Sequence, residues 1–536
     1  MTRTFLDPPI SLTTPRLRVL LPIWAALALI AWCALAPVVS NGFVNMDDPI
    51  NFLQNHDYRG LGWKQIKLAF TTERLGVYQP LGSLLLSVQY MVCGMDARGY
   101  HAVSLGIHAL NAIVLHGLTL MLLARVLPES GRTNGDRRAL LAALPVALYA
   151  AHPQRAEPVA WATAQLYLPC ALFCMFAVMA YLQANPKDRP RRTDWLLGVY
   201  GLSITAMLFM PGAVCLPFLL LVLDVYPLGR FGPGRWLGPE ARRAVLQKIP
   251  ILIPSFILMG IAYWSKRHNQ TLTNLAAQEG IGTRIAQAGT SLWLYVTKLV
   301  APIGVAPFYP RPEHGDFRWP GYVAQIAAMV VLTGFVLRSC RRLPWLAAAW
   351  LIYILILGPH LGLVRIGNTL AADRYCYIAS MVWVVVAAAG LCWFSQGSRR
   401  PRALPITLIV GVMLVPVSMT SSRAQAHLWG DSIRMWTYAK NRAPWSSQLH
   451  ANLGTALGET GRFDEALSEY DEALRIAPEF AEALLNQGSA LAGLGKYDEA
   501  IASYTKVLAL DPEHRTAALN LGAALAAIGR LDEAVA

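Results

Sequence analysis

Residues 447–480 read SQLHANLGTALGETGRFDEALSEYDEALRIAPEF, and residues 481–514 read AEALLNQGSALAGLGKYDEAIASYTKVLALDPEH. Gly454 aligns with Gly488 and Gly522, Ala466 with Ala500 and Ala534, Tyr470 with Tyr504, and Pro478 with Pro512. The stretch Gly-Arg/Lys-Phe/Tyr/Leu-Asp-Glu-Ala starts at Gly461, Gly495 and Gly529. Small residues at fixed offsets let paired helices approach closely, and the proline closes each unit. A period of about 34 residues built this way is the mark of tetratricopeptide repeats. It predicts an all-α solenoid over 447–536 with two full repeats and a third that stops at Ala536. A solenoid buries its core between neighbours, so the array is expected to be cut short there. Its expected role is protein binding, with plain scaffolding as the alternative.

Working outward from the repeats, the composition turns apolar. The chain of 536 residues is 55% hydrophobic and 15% charged. A membrane-spanning helix needs about 20 apolar residues, and many segments before residue 422 reach that length. The net charge of +14 does not point to nucleic acid, because the basic residues cluster between apolar runs. Arg16 and Arg18 form one cluster, and Arg132, Arg137 and Arg138 another; then come Lys187, Arg189, Arg191 and Arg192, Arg230, Arg235, Arg242 and Arg243, Arg338, Arg341 and Arg342, and Arg399, Arg400 and Arg402. Clusters of this kind mark cytoplasmic loops. They predict a polytopic membrane domain over 1–422, a connector over 423–446, and the repeats over 447–536. Eleven spans are expected, near 19–40, 100–124, 139–153, 164–183, 195–210, 213–227, 249–265, 321–338, 344–361, 377–395 and 403–421. The N-terminus is then cytoplasmic, and the repeats lie on the outer side. The segments 41–99 and 266–320 also lie outside. Within the second, Ala286 to Val305 could span by composition, but a crossing there would flip every later basic loop. A helix at the outer interface is expected instead.

Ionisable residues gathered on one side of a membrane domain mark a site. The outer side is expected to collect Asp47 and Asp48 after the first span, and Asp96 and His101 before the second. His152, Arg155 and Glu157 follow on the tip between the third and fourth, and Arg365, Asp373 and Arg374 between the ninth and tenth. Adjacent carboxylates can act as a general base, and arginine suits a phosphate. Blander readings stand beside these. Asp47-Asp48 fits a solvated loop or a helix cap before Pro49. Arg374 fits an ion pair with Asp373, Glu157 fits a helix cap, and His101 with His108 fits helix packing.

Several ordered blocks carry a family resemblance. They are Gly42-Phe43-Val44-Asn45-Met46-Asp47-Asp48, Gln79-Pro80-Leu81, Gly94-Met95-Asp96, and His101 with His108 to Asn111. His152-Pro153, Glu157, Val159-Ala160-Trp161, Leu216-Pro217-Phe218, Asp224 to Leu228, Ala372-Asp373-Arg374-Tyr375 with Tyr377, and Leu428-Trp429 with Asp431, Ser432 and Trp436 complete the set. Over nearly its whole length the chain resembles the transmembrane and tetratricopeptide-repeat-containing protein O-mannosyltransferases and their bacterial relatives, in the C-type glycosyltransferase superfamily.

The resemblance implies a mannose-like sugar carried on a polyprenyl phosphate in the membrane lipid. It implies a hydroxyl acceptor, Ser or Thr of a periplasmic protein, and inversion at the anomeric carbon. No cofactor and no metal are implied. Asp47 and Asp48 match the family's catalytic carboxylates. Arg374, with Arg365, would hold the donor phosphate, and Asp96, His101, His152, Glu157 and Asp373 would support them. The implied location is a bacterial inner membrane. The sequence departs from the family at Gln165-Leu166-Tyr167, where many relatives carry a basic residue followed shortly by an aspartate. It departs again at Met210, where many carry lysine before the proline. Those departures leave a second reading, a non-catalytic membrane scaffold for envelope or polysaccharide assembly.

Overall fold

The computed structural model describes residues 15–535, apart from 75, 128–134, 187–189, 191, 233, 235, 269–279, 313–316, 364–368 and 396–402. Among the described residues it is mostly helical, with a small antiparallel pairing of Tyr309–Pro310 with Thr369–Ala371 and an isolated bridge between Arg74 and Val77. Eight helices frame the site: α1 (Leu17–Leu35), α2 (Ala97–Val126), α3 (Gly135–Ala150), α4 (Tyr167–Ala184), α5 (Ile281–Val300), α6 (Asp373–Ala379), α7 (Ala403–Leu428) and α8 (Ser432–Arg442).

The fold centres on α2. Its 30 residues rise about 45 Å at 1.5 Å each, enough to cross a bilayer. The Asp96 carboxylate caps it, accepting the Arg98 amide at 3.0 Å. Polar side chains along α2 tie neighbouring helices together. Asn111 donates its amide to the Leu168 carbonyl on α4 at 3.0 Å. His116 accepts from the Trp24 indole of α1 at 3.2 Å and donates to the Ala139 carbonyl of α3 at 2.9 Å. His108 accepts from the Tyr377 hydroxyl of α6 at 2.8 Å and donates to the Ala150 carbonyl at 3.1 Å. In an apolar medium such bonds hold helices together where the hydrophobic effect cannot. The helix-to-helix role expected for His101 and His108 holds for His108.

The protein is a multi-pass membrane protein. Among the described residues, five helices are long and apolar enough to cross, or seven if each of two bent pairs is one crossing. Four shorter apolar helices stand beside them, including Pro80–Cys93, which falls in the segment expected to lie outside. Length and composition do not fix the count at eleven. The third expected span falls on α3, which at 16 residues is short of a full crossing, begins with Asp136, Arg137 and Arg138, and is in neither class. Helix α5 is likewise not among the crossing helices. It packs alongside Pro320–Ser339, with Gly289 facing Ile326.

The repeats form helix pairs Ser447–Glu459 with Phe463–Ile476, Ala481–Gly493 with Tyr497–Leu510, and Arg515–Ala527 with Leu531–Val535. Each pair turns on a glycine at positive φ: Gly461 at 77°, Gly495 at 76° and Gly529 at 81°. A side chain there would strain the backbone. The aligned small residues do what their spacing implied. A Cβ on Gly454 would lie 2.7 Å from the Tyr470 ring, and one on Gly488 would lie 2.6 Å from the Tyr504 ring.

Candidate functional site

The site is built from three stretches far apart in sequence. The first is the loop after α1. Asp48 is completely buried. Its carboxylate accepts from the Val44 amide at 3.0 Å, the Thr163 amide at 3.1 Å and the Thr163 hydroxyl at 2.6 Å. Burial nevertheless pushes its pKa up to about 7, with the neighbouring Asp47 charge adding to the rise. Asp47, by contrast, is exposed to solvent. It lies in a recess where desolvation raises its pKa while the Arg374 charge opposes the rise. Its φ of 60° makes it the one non-glycine residue with positive φ among the described residues. That conformation costs about 1 kcal/mol and persists only where surrounding contacts enforce it. Here Asp48 is tied on one side, and on the other the Met46 carbonyl takes the Trp161 indole N–H at 2.7 Å. The cap reading for Asp48 fails, because its side chain makes no cap bond to the turn that begins at Pro49.

The second stretch is the tip between α3 and α4. Glu157 is buried, and its carboxylate accepts both the Arg374 guanidinium and the Arg374 amide, the latter at 3.1 Å. Arg374 therefore pairs with Glu157 and not with Asp373. Glu157 is a counter-ion, not a helix cap. His152 accepts the Gln154 amide at 3.3 Å through Nδ1 and donates through Nε2 to the Leu299 carbonyl at 3.2 Å. Burial and the Arg155 charge lower its pKa to about 3, so the ring is neutral and structural.

The third stretch begins α6. The Arg374 guanidinium lies 4.9 Å from the Trp161 ring centre and 4.6 Å from that of Tyr375, a cation held by aromatic faces. Asp373 faces away from it, accepting from Gln154 at 3.0 Å and from the Tyr309 hydroxyl at 3.2 Å. His360 stacks on Tyr375 at 3.7 Å. Nearby, an apolar cavity of about 680 Å³ lies between the helices, lined by Leu115, Leu122, Val178, Gly212, Ile356, Ile378 and Trp393 among others. Ile378 stands one turn beyond Arg374 on α6, and Gly212 abuts the His360 ring.

Of the residues expected from sequence, Asp47, Asp48, Glu157 and Arg374 converge. His101 borders them, hydrogen-bonding the Gly42 carbonyl at 3.3 Å. His152 and Asp373 form an adjoining network. Asp96 is exposed and caps α2, apart from the cluster. Arg365 lies outside the described residues. Thr163 was missed, and nothing in its short tip sequence marks it. The departure at Gln165 is resolved by a neutral pair, in which the Gln89 amide donates to the Gln165 carbonyl at 2.7 Å.

Residues 451–508 and 485–536 match the tetratricopeptide repeat family. The chain is 24% identical to Protein O-mannosyl-transferase TMTC4 of Mus musculus, over 81% of this chain and 62% of that protein. It is 21% identical to Protein O-mannosyl-transferase F38B6.6 of Caenorhabditis elegans, over 83% of this chain and 59% of that protein. The chain is a homologue of these O-mannosyl-transferases. It spans less than two thirds of the length of either relative. Among solved structures it is similar to ArnT from Cupriavidus metallidurans bound to undecaprenyl phosphate, with a TM-score of 0.40 at 14% identity, covering 91% of this chain and 80% of that one.

Proposed function

We propose that this chain is an inverting glycosyltransferase that moves a mannose-like sugar from a polyprenyl-phosphate donor to a Ser or Thr hydroxyl of a protein. The observation that carries the reading is the convergence of an accessible carboxylate, Asp47, and an aromatic-held cation, Arg374, on one recess beside an apolar cavity. Sugar transfer from a phosphodiester needs a base for the acceptor proton. It needs no acid, because the departing phosphate is stable as an anion. Asp47 serves as the base, since it is open to an acceptor and its pKa is raised toward the working pH. Asp48 is the buried partner that fixes the loop. Arg374 neutralises the departing phosphate, and Glu157 keeps it aimed. The cavity gives the prenyl chain an apolar path up to Ile378, one helical turn from Arg374. The repeats bind the acceptor protein, and the site and repeats share the outer face of a bacterial inner membrane.

One observation favours a second reading, a membrane scaffold: the uncharged pair that Gln165 in the tip makes with Gln89 of the helix Pro80–Cys93. The test is a cellular one. Extracytoplasmic glycoproteins are compared between cells carrying wild-type protein, Asp47→Asn and a gene deletion. The enzyme reading predicts that Asp47→Asn matches the deletion. A full glycoprotein profile with Asp47→Asn, lost only on deletion, would sink it in favour of the scaffold.

A further inference from the structure

The loop that carries the two acids is bound to the far end of the chain at one residue. The Asn45 amide donates to the Ser432 hydroxyl at 3.0 Å. The Asn45 side-chain carbonyl accepts the Trp436 indole N–H at 2.6 Å. The Asn45 side chain also hydrogen-bonds Glu459, on the first helix of the first repeat. Trp436 is 2% exposed, and its ring packs edge-on against Phe308 at 5.9 Å. Nearby, Asn41 donates to the Ala426 carbonyl of α7 at 2.9 Å, and Trp429 stacks on Trp161 at 5.8 Å.

Helix α8 is joined as firmly to the repeats. Lys440 pairs with Glu469 at 2.7 Å, and the same carboxylate takes His450 at 2.6 Å. Asp431 caps α8, accepting the Arg434 amide at 2.7 Å. One short helix thus holds Asn45 at its N-terminal half and the first repeat at its C-terminal half. Two residues beyond Asn45, Asp47 adopts the positive φ that the local chain does not favour on its own.

We propose that Trp436 and Ser432 are positioning residues which, through Asn45, hold the Met46-Asp47-Asp48 turn in shape and make the repeat array a mechanical part of the site. This rests on the glycosyltransferase reading given above. It goes beyond that reading in assigning the array a role in setting the base as well as in meeting an acceptor. A protein seated on the repeats would bear on the acidic turn through two hydrogen bonds from α8 to Asn45 and a third from Glu459 of the first repeat.

The test uses the full chain in lipid nanodiscs with Trp436→Phe, Ser432→Ala and the double variant. Phenylalanine keeps a ring against Phe308 but removes the indole N–H. Two readouts are taken. The first is amide hydrogen exchange, which needs no activity. Exchange in a peptide covering 42–48 is expected to quicken at least tenfold in the double variant, with peptides from α2 and from 481–510 unchanged. The second is transfer from polyprenyl-phosphate mannose to a Ser/Thr peptide. There kcat is expected to fall about tenfold, while KM for the lipid donor holds, because Arg374 and the cavity are untouched. Ser432→Thr alone, which keeps the hydroxyl and leaves Trp436 in place, should show wild-type exchange at 42–48 and wild-type kcat. A general loss of folding would quicken exchange everywhere and raise KM as well, which would overturn the proposal. Unchanged exchange at 42–48 in the double variant would overturn it, as would quickened exchange with undiminished kcat. If the wild type transfers no sugar, the enzyme reading fails by itself. The exchange result then decides alone whether α8 holds the acidic turn.

Discussion

At the scale of residues, the two adjacent aspartates divide their labour by exposure. Asp48 is shut away and saturated with donors, whereas Asp47 reaches the recess. Asp47→Asn should cut turnover by about 100- to 10,000-fold, the usual range for losing a general base. Asp48→Asn should have a smaller effect and should leave the acid limb of the pH–rate profile in place, because burial already keeps Asp48 largely protonated below about pH 7. Arg374→Gln should move that limb up, since the opposing cation is gone, and should raise KM for the lipid donor. Measuring kcat and KM against pH for the three variants checks all of this; identical limbs would break the assignment. Asp48 also makes a stability prediction. Its pKa is about 3.8 unfolded and about 7 folded. The folded state therefore favours the protonated form. The cost is absent below pH 4, builds as pH rises, and is complete above about 7. Thermal unfolding should show wild type losing stability over that window, and Asp48→Asn should flatten the loss. The acids and Arg374 were legible from sequence because charges on one side of a membrane domain are costly unless used. The Glu157–Arg374 pairing was not legible, because it joins residues 217 apart whose contact depends on how the helices pack.

At the scale of elements, the repeats were the most legible part of the molecule. Their spacing forces the structure: Gly454 and Gly488 sit where a tyrosine ring leaves no room for a methyl group. Gly488→Ala should destabilise the array by about 1–3 kcal/mol, the usual cost of overpacking. Unfolding of the full chain, followed by circular dichroism, should show an earlier transition for this variant than for Ala→Gly changes at exposed repeat positions. An unchanged transition would contradict the packing. The membrane helices were legible in position more than in kind. Basic clusters located their ends, but α3 carries Asp136 and two arginines in its first turns, and Pro80–Cys93 is apolar without having been expected as a membrane element. Apolar length alone cannot separate a crossing helix from one packed at an interface. Labelling of cysteines placed at Thr283 and Trp319 separates the cases for α5. Both should react from the same side as a cysteine placed in the repeats. Reaction of either from the opposite side would make α5 a crossing helix.

At the scale of the whole molecule, the acidic turn, the tip carrying Glu157 and Trp161, the start of α6 and the root of the repeats meet in one place. No single stretch of sequence contains that meeting point. It arises because Trp161 and Trp429 stack and because Asn45 is bound by α8. The proposed chemistry rests on the assembly: Asp47 open to solvent, the Arg374 cation, an apolar cavity near them, and the repeat array joined at Asn45. The most direct test is the rate at which purified full chain in nanodiscs transfers mannose from polyprenyl-phosphate mannose to a Ser/Thr peptide, wild type against Asp47→Asn. The expected result is transfer by the wild type, with inversion at the anomeric carbon, and a loss of at least 100-fold in the variant with donor binding retained. Equal rates in the two proteins would contradict the assignment of Asp47 as the base and, with it, the proposed mechanism.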